Sequence, residues 1–162
     1  MSDLQDVRHM AQQLIAEHLD DSWSFAFDHA KRRAGLCNYG EKRISVSRYL
    51  SARYDDDTNR QTLLHEVAHA LAGASAGHGA IWRRTARRIG YTGGTTHHGE
   101  PANDLAPWVG LCPAGHTAYR HRRVTRATSC AKCAPTFDER FLFQWRRREI
   151  SPATRLAALT PR

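Results

Sequence analysis

The segment Leu63-Leu64-His65-Glu66-Val67-Ala68-His69-Ala70-Leu71 constrains this chain more than any other part of it. It is apolar except for two histidines and a glutamate in the pattern H-E-x-x-H. On a helix, residues four apart lie about 40° apart around the axis and about 6 Å along it, so both imidazoles point the same way. Two histidines and a carboxylate on so apolar a helix are costly unless something pairs with them. A zinc ion held by both imidazoles at about 2.0–2.1 Å is such a partner. Glu66, one position on from His65, reaches a water on the metal without ligating the metal. Zinc acidifies that water, and the carboxylate takes its proton during attack on a carbonyl. A catalytic zinc needs a third protein ligand. His78 is the candidate: it lies between Gly77 and Gly79, nine residues after His69. Ala74-Ser75-Ala76-Gly77 lets the chain turn back, and the glycines permit close approach or unusual dihedrals.

The surrounding pattern is mixed. Leu4, Val7, Met10, Ala11, Leu14, Ile15 and Leu19 form one helical stripe over 4–19. Alternation predicts a short strand at 23–27, then strands at 36–39 and 43–47 joined across Gly40-Glu41. Asp55, Asp56 and Asp57 are N-cap candidates for a helix over about 59–71 that ends near Gly73. A further helix covers 80–89, with Gly90 as its stop. Ile44 and Val46 are expected to face inward, with Arg43, Ser45 and Ser47 outward. An extended peptide substrate is expected beside 43–47, read as an exposed sheet edge. Gly93, Gly94, Gly99, Pro101 and Pro107 mark a linker. His97-His98 within it read as an exposed pair.

The stretch from about Phe25 to Gly90 resembles the SprT-like family, which includes the Spartan-type proteases. The residues that carry the resemblance are Gly35-Leu36-Cys37, Arg43-Ile44-Ser45-Val46-Ser47, the H-E-x-x-H segment, and Gly77-His78-Gly79-Ala80-Ile81-Trp82. With the cysteine-rich segment below, it extends to about Phe141. The resemblance implies an α+β fold: a zincin-like metalloprotease domain with a small antiparallel sheet packed on helices, followed by a small zinc ribbon. It also implies Glu66 as the catalytic residue and His65, His69 and His78 as ligands of the catalytic zinc. The expected divisions are 1–92 for the metalloprotease domain, 93–107 for the linker, 108–145 for the ribbon and 146–162 for a basic, frayed tail.

Cys130-Ala131-Lys132-Cys133 is a good zinc half-site, because its loop turns two thiolates toward one ion. Its mate, Cys112-Pro113-Ala114-Gly115-His116, is less regular. SprT-like ribbons carry C-x-x-C in both halves, and Gly115 occupies the expected second cysteine position. His116 then completes a Cys₃His set with Cys112, Cys130 and Cys133, with His121 as its rival. Such a closed site is structural and folds a segment too small for its own core. Zinc is thus the expected cofactor at two sites, one catalytic and one structural. Cys37 stands apart and reads as a buried structural thiol.

Charge divides the chain. Residues 1–78 hold 9 Lys/Arg and 11 Asp/Glu, whereas 79–162 hold 15 and 5, so the whole net charge of +8 originates in the second half. A polyanion such as DNA, single-stranded or as distorted duplex, is the partner such a half suits. Arg120, Arg122, Arg123 and Arg126, between the zinc half-sites, are the expected contacts. Trp108, Phe137, Phe141, Phe143 and Trp145 read as packing residues. The N-terminus lacks the pattern of a secretory signal and no apolar run spans a bilayer, so a cytoplasmic monomer without membrane contact is expected. The resulting expectation is a zinc protease acting on DNA-associated or DNA-crosslinked protein. Two other classes use the same residues: a DNA-binding zinc protein with an inactive peptidase-like domain, which intact Glu66 argues against, and a zinc hydrolase of another amide.

Overall fold

A computed structural model describes residues 2–95 and 101–157, so the expected His97-His98 pair lies outside the described residues. The chain divides into two compact units, Met1–Pro101 with Ala157–Arg162, and Ala102–Leu156.

In the first unit, helix α1 (Leu4–His18) starts where the Asp3 side chain accepts from the Gln5 N–H. It buries Val7, Ala11, Leu14 and Ile15, the middle of the expected stripe. Strands β1 (Ser24–Asp28), β2 (Gly35–Asn38) and β3 (Arg43–Ser47) form one sheet in the order β1-β3-β2. A short helix α2 (Arg48–Ser51), capped by the Ser47 side chain, leads to α3 (Asp56–Ala72) and then α4 (Ala80–Arg88). Helix α1 packs on β1 and α3, and α3 packs on β2, β3 and α4. The core between them contains Ile44, Val46, Leu63, Leu64, Val67, Trp82 and Tyr91.

Three expectations fail here for one reason. The sheet is mixed rather than antiparallel: β3 pairs antiparallel with β2 but parallel with β1. The 14 residues between β1 and β3 contain β2 and act as the crossover that a parallel pair requires. Strand β3 is therefore the middle strand, and an added peptide cannot pair along it. Its middle position also buries Ser45 and Ser47, expected to face outward, at 6% and 0% exposure. Their hydroxyls find partners: Ser45 Oγ donates to Asp28 Oδ2 at 2.8 Å, and Ser47 Oγ donates to the Ala30 carbonyl.

In the second unit, β4 (Trp108–Leu111), β5 (Thr117–Arg120) and β6 (Gln144–Arg147) form an antiparallel sheet in the order β5-β4-β6. Gly110 is required because a Cβ there would lie 2.9 Å from the Trp145 ring. Arg146 and Arg147, assigned to the tail, are the end of β6. Pro152–Ala157 form helix α5 rather than a frayed end, with the Ser151 hydroxyl accepting from the Thr154 N–H. Phe137, expected to pack, is 59% exposed. No helix among the described residues is long and apolar enough to cross a membrane.

Candidate metal centre

Helix α3 carries His65, Glu66 and His69 on its penultimate and last turns. It ends at Gly73, whose φ of 84° is open to glycine and strained for other residues. A single 3₁₀ turn, Ala74–Ala76, and Gly77 at φ 47° then reverse the chain. Gly79 lies so close that a Cβ would sit 2.9 Å from the Ala76 carbonyl oxygen. The reversal returns His78 to α3. The three Nε2 atoms converge: His65 to His69 3.2 Å, His69 to His78 3.0 Å, His78 to His65 3.1 Å. Neutral imidazoles arranged this way aim several lone pairs at one point, an arrangement that suits a shared cation. The spacing is close to that between neighbouring ligands on a tetrahedral ion with bonds of about 2.0–2.1 Å.

Trp82, 2% exposed, packs beneath all three rings with centroids 4.8, 5.3 and 4.6 Å from His65, His69 and His78. Tyr91 Oη donates to the Gly94 carbonyl at 2.8 Å and lies 3.3 Å from His65 Nδ1. With its own proton committed, the phenol oxygen accepts from His65 Nδ1–H, which leaves Nε2 as the free lone pair. Tyr91, two residues before the expected linker, is 8% exposed and part of the core. Gly90, at φ 91°, ends α4 with Gly90 N–H bonded to the Arg87 carbonyl and Tyr91 N–H to the Ala86 carbonyl. This is a Schellman end, whose following residue commonly packs back on the helix. Gly90 was the sequence signal for Tyr91, but not for its contact with His65.

Glu66 is 8% exposed and faces β2. The Cys37 N–H donates to its carboxylate, and a Cβ on Gly35 would lie 2.6 Å from Oε1. Burial pushes the carboxyl up to about 7 and Asp28 adds to the rise, while Arg33 and the Cys37 N–H oppose it. Burial, then His78, lowers His69 to about 4, so its imidazole is neutral at physiological pH. Gly35, Leu36, Cys37 and Tyr39 wall an open cleft of about 380 Å³, with His65, Glu66 and His69 also lining it. Tyr39 Oη donates to the His69 carbonyl at 3.2 Å. Cys37 is buried as expected, and burial together with Glu66 holds its thiol up at about 12, which suits an inert thiol rather than a nucleophile.

In the second unit, Cys112, His116, Cys130 and Cys133 bring one ligand atom each to a common point. His116 Nδ1 lies 3.6, 3.6 and 3.3 Å from the sulfurs of Cys112, Cys130 and Cys133, and Cys112 Sγ lies 3.9 Å from Cys133 Sγ. These gaps far exceed a disulfide bond of about 2.05 Å. They fit ligands about a tetrahedral ion with Zn–S bonds of about 2.3 Å. Gly115, at φ 83°, lets the turn close so that the His116 N–H donates to Cys112 Sγ at 3.3 Å. His121 is not in the cluster. All four expected DNA contacts, Arg120, Arg122, Arg123 and Arg126, are exposed, and the Arg120 guanidinium also lies over the Trp145 ring at 5.6 Å.

A family model described as the SprT-like family matches residues 4–101. The chain belongs to the SprT-like family. The match takes in α1, which the expected resemblance left out, and stops before the cysteine-rich unit, to which that resemblance had been extended. No curated protein and no solved structure matches this SprT-like chain.

Proposed function

We propose that this SprT-like protein is a zinc-dependent peptidase with a zincin-like catalytic unit, acting on proteins bound or crosslinked to DNA. The observation that carries the reading is the convergence of three imidazole Nε2 atoms within 3.0–3.2 Å beside a buried carboxylate. His65, His69 and His78 would hold the catalytic zinc. Bound there, zinc acidifies a water and polarises a carbonyl. Glu66 is the general base, its carboxyl lifted by burial to where a base is best matched to neutral pH. Tyr91 fixes the His65 tautomer.

Strand β2 has β3 on one side only, so it is an outer strand. Its residues wall the cleft, and its Cys37 N–H holds Glu66. An extended peptide adding to β2 would bring its backbone to the base. Cys112, His116, Cys130 and Cys133 would hold a second, structural zinc in a ribbon. The DNA part of the reading is supported by the positive excess of residues 79–162 and by exposed Arg122, Arg123 and Arg126.

The test is casein or histone cleavage, with and without DNA, alongside metal analysis of wild type and Glu66→Gln. The variant should keep its zinc and lose about 10²–10⁴-fold in hydrolysis, the usual contribution of a general base. Undiminished cleavage by Glu66→Gln would remove the mechanism.

A further inference from the structure

We propose that the outer face of α4 binds the phosphate backbone of a single nucleic-acid strand through Arg83, Arg84, Arg87 and Arg88. At about 100° per residue, these four side chains fall within an arc of about 140°. Trp82 and Ala86, at 2% and 1% exposure, occupy the opposite side and anchor the helix to the core. All four arginines are exposed. Among the described residues none of them makes an ion pair, and α4 contains no acidic residue.

Packing does not require this face, since Trp82 and Ala86 make the core contact. The helix dipole favours Arg87 and Arg88 in the last turn but not Arg83 and Arg84. Like charges at i and i+4, here 83 with 87 and 84 with 88, oppose helix stability. A bound polyanion removes that repulsion. The two arginine rows lie about 6 Å apart along the axis, comparable to the step between successive phosphates of one strand.

A second feature selects a single strand. Arg83 and Arg87 also line a cleft of about 500 Å³ with Trp82, Tyr91, Gly93 and Gly94. A base unstacked from a single strand can enter such a cleft, whereas a paired base in a duplex cannot. An anionic membrane fits less well. A membrane-surface helix pairs its basic face with a free apolar one, whereas Trp82 and Ala86 are already committed to the core and Ile81, 56% exposed, is a single free apolar side chain rather than a face.

These four arginines are not those of the cysteine-rich unit. The inference rests on nucleic acid being the partner, not on hydrolysis. Its consequence is positional: the helix that carries this face also sets Trp82, on its inner side, against the three histidines. A strand on α4 would therefore hold its attached protein one helix away from the catalytic site.

The test titrates zinc-loaded full chain against fluorescein-labelled dT20 by anisotropy, at about 50 and 200 mM salt. The variants are Arg83, Arg84, Arg87 and Arg88 all to Ala, the same four to Lys, and Arg122, Arg123 and Arg126 to Ala. Zinc content and near-UV circular dichroism check folding. Should the four-alanine protein misfold, Arg84→Glu with Arg88→Glu, farthest from the core, replaces it. The α4 alanine variant should bind about 10- to 100-fold more weakly at low salt. Its salt slope should be shallower by about 0.7 for each phosphate no longer neutralised, and lysine should restore most of the binding. Binding by the alanine variant within about twofold of wild type at both salts overturns the proposal. If the Arg122/Arg123/Arg126 variant alone loses binding, DNA remains the partner and the α4 surface falls. If wild type does not bind dT20, both fall. Binding to phosphatidylserine vesicles that depends on α4, with dT20 binding that does not, also overturns it.

Discussion

Glu66 is held in a state that a solvent-exposed carboxyl would not adopt, and this has a measurable consequence. Its pKa in the folded, metal-free protein is about 7, against an ordinary 4.5. A raised folded pKa means that the native state binds the proton more tightly than the unfolded chain. The associated stability is fully present below about pH 4.5 and is lost as pH rises through about 7, on the order of 3 kcal/mol in all. Glu66→Gln removes this titration. Chelated wild type should therefore lose stability relative to chelated Glu66→Gln between pH 4.5 and 7, with no further divergence above; denaturant midpoints across that range measure it. Tyr91 allows a second residue-scale prediction. Phe at this position keeps the ring packing but removes the acceptor for His65 Nδ1–H. Zinc affinity should fall about 10- to 100-fold by chelator competition, as for other supporting partners of a metal-bound histidine.

At the scale of elements, the site depends on how closely α3 meets β2. Gly35 makes that approach possible, since a Cβ would lie 2.6 and 2.7 Å from Oε1 and Cγ of Glu66. Gly35→Ala should displace the base without touching the three histidines. Hydrolysis should drop at least tenfold while zinc affinity stays within about twofold, and a parallel loss of both would mean that α3 itself has shifted. The histidines depend on a different device, the tight reversal through Gly73 and Gly77. At both positions a side chain meets no neighbour, so the cost of substitution is backbone strain alone.

At the scale of the whole molecule, the two units draw on different sources of stability. Residues 2–95 surround an apolar core built from α1, α3, α4 and the mixed sheet. Among the described residues, the 55-residue second unit has one aromatic pair, Phe143 with Trp145, three arginines over aromatic rings, Arg120 on Trp145, Arg140 on Phe141 and Arg148 on Tyr119, and the Cys₃His cluster. Chains of that size commonly need a metal or other cross-link. Cys130→Ser should therefore make 102–156 the first segment cut in limited proteolysis, while the α1-to-α4 unit remains protected.

How much of this was legible beforehand follows from the range of each interaction. Helices α1, α3 and α4, the hairpin of β2 and β3, and the convergence of His65 with His69 are written in local periodicity, caps and turn glycines, so the sequence alone determines them. His78 and the cysteine set were legible because spacing and resemblance constrained them. The central place of β3, the burial of Ser45 and Ser47, the contact of Tyr91 with His65 and the pressure of Gly35 on Glu66 were not. Each is a meeting of segments whose separation in sequence carries no periodic signal. Residue pattern determines which side chains can share an ion; only the packed sheet and helices decide how dry the base is, because burial sums contributions from every element at once.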